Sequence, residues 1–289
     1  MNPRFNTIAL FGRPHPDETC AQLLGEIEQW LVRRGLTVLA HNSRNTRLIQ
    51  SAGRRADLAI VVGGDGTMLG IARALSPIEV PVVGINRGRL GFITDIPLSN
   101  WQQALESIFD GHFSIEERTL IEAHAYRQER KLFHARALND VVISRSSRNG
   151  MIEIEVCVDG IYMYSPRGDG LIVATPTGST AYALSVNGPI MHPSLKGFVL
   201  APVAPQALSN RPIILPDHCE VELTIRHGKS SRLNCDMQSF SDLQEGDHVV
   251  LSRSKDVSRF LHPHGYSYYA SLRSKLNWHE IPGLEPRRT

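Results

Sequence analysis

Apolar positions follow two rhythms along this chain, and the change from one to the other divides it. Thr7 to Phe11, Thr37 to His41, Asp57 to Val62 and Val80 to Ile85 are short, nearly unbroken apolar runs, as expected of strands covered on both faces. Between and after them, Asp17 to Arg34, Thr67 to Leu75 and Asn100 to Phe109 space their apolar residues three and four apart, which predicts helices with one buried stripe. Strand and helix in alternation predict a parallel sheet.

After about Gly111 the segments shorten and read as strands bounded by turn residues. They are Ala137 to Ser144, Met151 to Val158, Ile161 to Tyr164, Gly170 to Ala174, Gly197 to Val203, Cys219 to Arg226 and His248 to Ser252. Asp159-Gly160 between two such runs is a hairpin signal, and only Thr180 to Leu184 has helical spacing here. This half predicts a β-sandwich. Helical spacing returns from Tyr268 to Trp278, where Tyr268, Tyr269, Leu272 and Leu276 can share a face. The expected domains are 1–111, with 265–289 returning to it, and 112–264. No repeat or low-complexity linker marks the boundary, so it rests on periodicity alone.

Composition narrows the partners. Of 289 residues, 42% are hydrophobic and 21% charged, with a formal net charge of +2, so a sizeable core is available but no basic footprint for nucleic acid or an anionic membrane. Small anionic molecules are the expected partners. Cys20, Cys157, Cys219 and Cys235 are scattered without metal-like spacing, which fits reduced thiols. No transmembrane-length apolar run and no signal-peptide core stand in the sequence, so a cytoplasmic location is expected.

Three constellations carry candidate chemistry. The first is Gly63-Gly64-Asp65-Gly66-Thr67, between a strand and a helix. Glycines let backbone approach phosphate closely, and the helix N-terminus adds N–H donors. A carboxylate in that place is repulsive to phosphate unless it acts as an acid or base; a plain helix cap at Asp65 is the competing reading. The loop is neither a Walker A loop nor the Gly-x-Gly-x-x-Gly fingerprint. The second is Gly168 to Ser185, dense in hydroxyls and small residues after Thr175, which suits an adenine or ribose pocket walled by Tyr182 or, equally, a Ser/Thr turn with a helix cap. The third is Asn139-Asp140 before an apolar strand, able to bond a ribose hydroxyl or a carboxamide, but also common in turns. Asp236-Met237-Gln238 reads by default as a hairpin.

Taken in order and spacing, Gly63 to Thr67, Asn139-Asp140 and Gly168 to Tyr182 resemble the NAD kinases, over nearly the whole chain. Asn86 to Phe92 looks like that family's second glycine loop, and Ser267 to Trp278 resembles the C-terminal segment of its bacterial forms. The resemblance implies ATP-dependent phosphorylation of the adenosine 2′-hydroxyl of NAD to give NADP. It also implies a Rossmann-like N-terminal domain, a C-terminal β-sandwich with the last helix packing back on the first domain, and a homotetramer or dimer. Asp65 matches the catalytic aspartate, Gly66 the adjacent backbone contact, and Gly63, Gly64, Gly66 and Thr67 the phosphate loop. Asn139 and Asp140 match the pair that holds NAD. Thr177, Thr180, Ala181, Tyr182, Ala183, Leu184 and Ser185 match the dinucleotide pocket, Asp169 its acidic contact and Gln238 its C-terminal glutamine.

The sequence departs from the family in three places. The acid after Asn139 is the shorter Asp140 where glutamate is frequent, Met237 stands where Asp-Gly-Gln is frequent, and Ser185-Val186-Asn187-Gly188-Pro189 replaces Ser-Ala-Gly-Gly-Pro. Arg167 places a cation near the expected dinucleotide, with Asp169 the candidate acid to balance it. Arg87, Arg89, Arg145 and Arg148 are candidate phosphate clamps, or solvated surface arginines. Magnesium or manganese is expected on the triphosphate, without a protein cage. His262-Pro263-His264 lacks a third metal ligand and reads as a loop. Two rival readings remain at this stage: a diacylglycerol-type lipid kinase sharing the Gly-Gly-Asp-Gly-Thr loop, and a non-catalytic dinucleotide-sensing module in which Asp65 only caps a helix.

Overall fold

In the computed structural model, the residues described are 5–13, 16–41, 45–88, 91–146, 150–228 and 230–278. The chain falls into two compact units, Met1–Glu116 with Arg259–Thr289, and Glu117–Ser258.

The first unit is α/β. Its elements are β1 (Thr7–Gly12), α1 (Glu18–Arg33), β2 (Thr37–His41), α2 (Thr46–Gly53), β3 (Leu58–Val62), α3 (Asp65–Leu75), β4 (Val82–Asn86), β5 (Ile96–Pro97) and α4 (Trp101–Phe109). The strands are parallel, with β1 between β2 and β3, β3 beside β4, and β4 beside β5. Phe260, from the last strand of the chain, pairs parallel with Val82. All five residues of β3 and of β4 are buried, which is why their sequences lack alternation. Helix α1 begins at Asp17, whose side chain accepts from Cys20 N, and buries Cys20, Leu23, Leu24, Ile27 and Leu31. Each fully buried Leu or Ile contributes about 1.5–3 kcal/mol, so this stripe is what docks the helix on the sheet. It ends at Arg34, beyond which Gly35 takes φ +80°.

The order β2-β1-β3-β4 has a consequence for chemistry. From β1 the chain moves outward to β2, then returns to β3 on the other side of β1, so the loops that follow β1 and β3 part from each other. Such a switch point is where open α/β sheets hold ligands. The Gly63-Gly64-Asp65 loop leaves β3 there.

The second unit is a β-sandwich. Two long strands, β6 (Phe113–Arg127) and a last one, lead the chain into and out of it. After β6 come β7 (Arg130–Ala137), β8 (Asp140–Arg145), β9 (Ile152–Val158), β10 (Ile161–Tyr164), β11 (Arg167–Gly168) and β12 (Gly170–Ala174). The short helix α5 (Tyr182–Ser185) precedes β13 (Gly197–Val203), β14 (Ile213–Pro216), β15 (Val221–His227), β16 (Ser231–Cys235), β17 (Ser239–Leu243) and β18 (His248–Pro263). One layer is the antiparallel sheet β14-β13-β12-β8-β16-β17; the other contains β10, β9, β15 and the start of β18. Val141, Ile143, Leu171, Val173 and Leu233 from the first layer meet Ile152, Ile154, Val156, Val221, Leu223 and Ile225 from the second in one buried cluster. The residues in between, Val142, Ile172, Ala174, Val199 and Ala201, face outward, where Ala183 and Met191 cover them.

The predicted Asp159-Gly160 hairpin is present, with both residues at positive φ. The terminal helix α6 (Tyr268–Leu276) belongs to the first unit and is capped by Ser267. It stops at Leu276 because Asn277 turns left-handed. Leu272 is buried, but Tyr269 is exposed, so the apolar face expected of this helix is narrower than its spacing suggests.

The β16–β17 turn is strained by one residue. Asp236 and Met237 both adopt left-handed φ, 54° and 53°, the pair of conformations of a type I′ hairpin, where glycine is favoured at the second position. Met237 is 60% exposed, so its side chain returns little packing for that backbone. Met237→Gly is expected to raise stability by about 0.5–1 kcal/mol, read as a shift in urea midpoint. A loss would show that the methionine is held by contacts its exposure does not reveal.

Candidate active site

Asp65 opens α3 without capping it: the N-cap is Gly64, and no side chain caps the helix. Its carboxylate turns to the segment after β4. Oδ2 accepts from Phe92 N at 2.8 Å, and Oδ1 accepts from Thr94 Oγ1 at 2.9 Å and from Ile93 N at 3.4 Å. Thr94 is held in turn by buried Asn86, whose Nδ2 donates to Thr94 Oγ1 at 2.7 Å and whose Oδ1 accepts from Gly88 N. A Cβ on Gly91 would overlap the Asp65 carboxylate, so a glycine is required there by close approach. The helix-cap reading of Asp65 is therefore replaced by a tie between two loops. A carboxylate has about four lone-pair sites; the three donors among the described residues leave one. Within the loop, a Cβ on Gly63 would press on Thr67, whereas one on Gly64 or Gly66 would meet nothing within 4 Å. That open ground beside a helix N-terminus is suited to an anion.

The second unit assembles its own polar cluster. Asp236, at the β16–β17 turn, accepts from three successive amides, Leu138 N at 3.0 Å, Asn139 N at 2.8 Å and Asp140 N at 3.2 Å, and returns its own N–H to Asp140 O. Thr175, fully buried, donates from N to Asn139 O and from Oγ1 to Leu138 O, and accepts from Gly178 N. A Cβ on Gly178 would strike the Asn139 backbone. Asn139-Asp140 and the Pro176–Thr180 turn are thus one interlocked piece. Asp140 itself is buried. Burial and the neighbouring Asp236 charge push its carboxyl up to about 7, against an N–H from Tyr182 that favours the ionised form.

Not every hydroxyl of the predicted pocket is turned outward. Ser179 bonds Pro176 O and Met191 N, and Thr180 Oγ1 donates to Thr177 O. Thr177 Oγ1 accepts from Arg118, the largest fully buried side chain. Ala183 is buried in the sheet-covering cluster, Ala181 and Leu184 are half-buried, and Tyr182 and Ser185 are exposed. Gln238 N closes the hairpin on Cys235 O.

The charged residues pair differently from the expectation. Asp169 does not balance Arg167; it binds Arg145, Nε to Oδ1 at 2.6 Å, while Arg167 lies 3.5 Å from Glu153. The reason is topological. Arg167-Gly168 pairs with β9 and Gly170 onward pairs with β8, so the chain changes layers within three residues and sends the two side chains to different sheets. Arg87 is engaged through two N–H groups with Asp17, the α1 cap. Arg89 and Arg148 lie outside the described residues. His262 is buried with Nδ1 against Asp95 and Nε2 3.1 Å from Glu116, and it stacks on Tyr266. His262 and Pro263 therefore stand at the end of β18 rather than in the expected loop, and only His264 lies in the turn beyond it.

Two residues were missed by sequence reasoning. Asp236 was read as turn polarity, although its carboxylate holds the Asn139-Asp140 backbone. Arg118 sits on β6, a strand that left no clear alternation.

Residues 42–113 match the ATP-NAD kinase N-terminal domain and residues 138–262 the ATP-NAD kinase C-terminal domain. The NAD kinase of Burkholderia thailandensis is 50% identical, over 98% of this chain and 97% of that protein. In fold, the chain is like yeast NADH kinase complexed with NADH, with a TM-score of 0.84 at 20% identity, covering 99% of this chain and 91% of that one. It is also like an NAD kinase from Archaeoglobus fulgidus in complex with ATP, with a TM-score of 0.75 at 26% identity, covering 93% and 99%. With both halves matched and the tied aspartate and interlocked Asn139-Asp140 turn in the matched segments, the chain belongs to the NAD kinase family.

Proposed function

We propose that this chain transfers the γ-phosphoryl group of ATP to the adenosine 2′-hydroxyl of NAD, giving NADP, with Asp65 as the general base. The observation that carries the reading is the orientation of Asp65. Its carboxylate is fixed by Phe92, Ile93 and Thr94 rather than spent on its own helix, and one lone-pair site is left to accept a hydroxyl proton. Phosphoryl transfer asks mainly for positioning and charge stabilisation, and a pre-aimed base removes reorientation from the reaction. The open backbone at Gly64 and Gly66, with Gly63 and Thr67 framing it, is the proposed seat of phosphate oxygens.

NAD is proposed to lie against Asn139 and the Thr177 to Ser185 segment, with Tyr182 as a wall and Thr177, Thr180, Ala181, Leu184, Ser185 and Gln238 around it. Ala183 supports this wall from the core side. Asp140 is assigned to positioning, since it is buried and meets the Tyr182 amide. Arg167 and Asp169, tied to Glu153 and Arg145, are proposed to present a fixed charge pattern to the dinucleotide. Magnesium or manganese neutralises charge on the triphosphate when bound. The ion is therefore assigned to the phosphate oxygens. A cytoplasmic homotetramer or dimer completes the reading; no helix among the described residues is long and apolar enough to cross a membrane.

Incubation with magnesium-ATP and NAD, with NADP as readout, tests the activity directly. Asp65→Asn is expected to lower kcat by about 10²–10⁴ with little change in the Michaelis constant for NAD. Thr94→Val, which removes one tie and leaves the carboxylate, should cost far less. Equal losses in the two variants would reduce Asp65 to a loop anchor.

A second outcome concerns pH. Asp140 holds its proton up to about pH 7 in the folded chain, whereas an unfolded aspartate releases it near 3.9. Between these values the folded state binds more protons, so stability falls as pH rises from about 4 to about 7 and levels off above. Asp140→Asn should flatten that slope, seen in urea midpoints compared at about pH 5 and pH 8. An unchanged slope would mean that Asp140 ionises freely in the fold.

A further inference from the structure

The β6–β7 hairpin of the second unit carries a set of side chains that the phosphotransfer chemistry does not use. Its inward positions, Ile121, Ala123 and Ala125 on β6 with Ala137 on β7, belong to the sandwich core. Strand alternation therefore turns Glu122, His124 and His134 to the other face. His124 and His134 are direct cross-strand partners, and Glu122 is two residues from His124. The two imidazoles stack with centroids 4.5 Å apart and planes 3° from parallel, and Glu122 Oε1 lies 2.7 Å from His134 Nε2. One ligand atom from each of the three falls within 4.8 Å of the others.

We propose that Glu122, His124 and His134 form a binding site for a divalent transition-metal ion of the zinc class. Two imidazole nitrogens and one carboxylate oxygen are the donor set that such ions prefer, and three protein ligands with a fourth position open to water is a familiar zinc arrangement. Zinc bonds to these atoms are about 2.0–2.2 Å long, so ligand atoms around a tetrahedral ion stand about 3.4 Å apart. Glu122 and His134 must part slightly, and no pair has to close by more than about 1.4 Å. Rotation of side chains on an outer face suffices, with the backbone already paired in register. His124 Nδ1 is buried and finds no hydrogen-bond partner among the described residues, a debt that metal binding or the reorientation it brings would settle.

Beside the trio, Tyr126 stacks on His248 at 5.2 Å, which extends the aromatic row without adding a ligand to it. An ion here would clasp β6 to β7 and stabilise the hairpin by mass action.

The test uses the full chain, stripped with chelator and titrated with zinc chloride by calorimetry. Wild type is expected to take up one zinc at this site and to melt at a higher temperature once loaded. His124→Gln and His134→Gln are expected to weaken that uptake by more than about 100-fold, beyond what loss of an outer partner costs, and to abolish the shift in melting temperature. His248→Gln should retain both. Absence of the uptake, or its survival unchanged in His124→Gln and His134→Gln, would overturn the proposal. Should those variants fail to fold, X-ray absorption of the zinc-loaded wild type decides: two imidazoles and a carboxylate support the site, and any other protein ligand set refutes it.

Discussion

The tie between Asp65 and the Phe92–Thr94 segment is the constraint on which the chemistry proposed for the first unit depends. It joins the end of β3 to the loop beyond β4, and it does so with the carboxylate assigned to catalysis. The arrangement makes two demands at once. The loop must supply donors at fixed places, through the Phe92 and Ile93 amides and the Thr94 hydroxyl, and it must present no side chain at residue 91. Asn86 enforces the first by gripping Thr94. A carboxylate held this way is kept from turning to its own helix, which is the preorganisation that the proposed base would need.

The second unit solves a parallel problem with a different carboxylate. Asp236 gathers three consecutive amides and so fixes the backbone from Leu138 to Asp140, on which Thr175 and Gly178 then dock. The polar groups are buried and mutually satisfied, an arrangement that is rigid when complete and costly when any member is removed. Sandwich packing beneath it is ordinary; the specificity of the turn comes from these few bonds.

Much of this was legible. Buried strands such as β3 and β12 and the long stripe of α1 announce themselves by period, because burial on fixed faces leaves a regular mark. Helix α2 did not, since eight residues with Ile49, Ala52 and Gly53 inward are too few to show one. Strands β6 and β7 were hidden because their turn, Arg127 to Arg130, contains no glycine or proline, and Gln128 takes the left-handed conformation instead. Strand β18 was read only to Ser252, although it continues to Pro263, because polar residues interrupt its alternation where the chain passes between units. The site's motifs were visible, but the Asp236 role and the Arg145–Asp169 pair were not. Their partners lie 96–98 and 24 residues away, and no local pattern encodes a long-range partner.

The change of layer at Arg167 to Gly170 has a dynamic meaning. In most sandwiches the two sheets are linked by loops at their ends, and they can part slightly while each stays intact. Here the strand path itself steps across, with β11 in one ladder and β12 in the other, and an arginine–carboxylate pair fastens each side of the step. Breathing of the layers would have to break ladder bonds as well as part apolar side chains. Opening at Asp169 is therefore coupled to both ladders at once rather than to the fraying of a single loop.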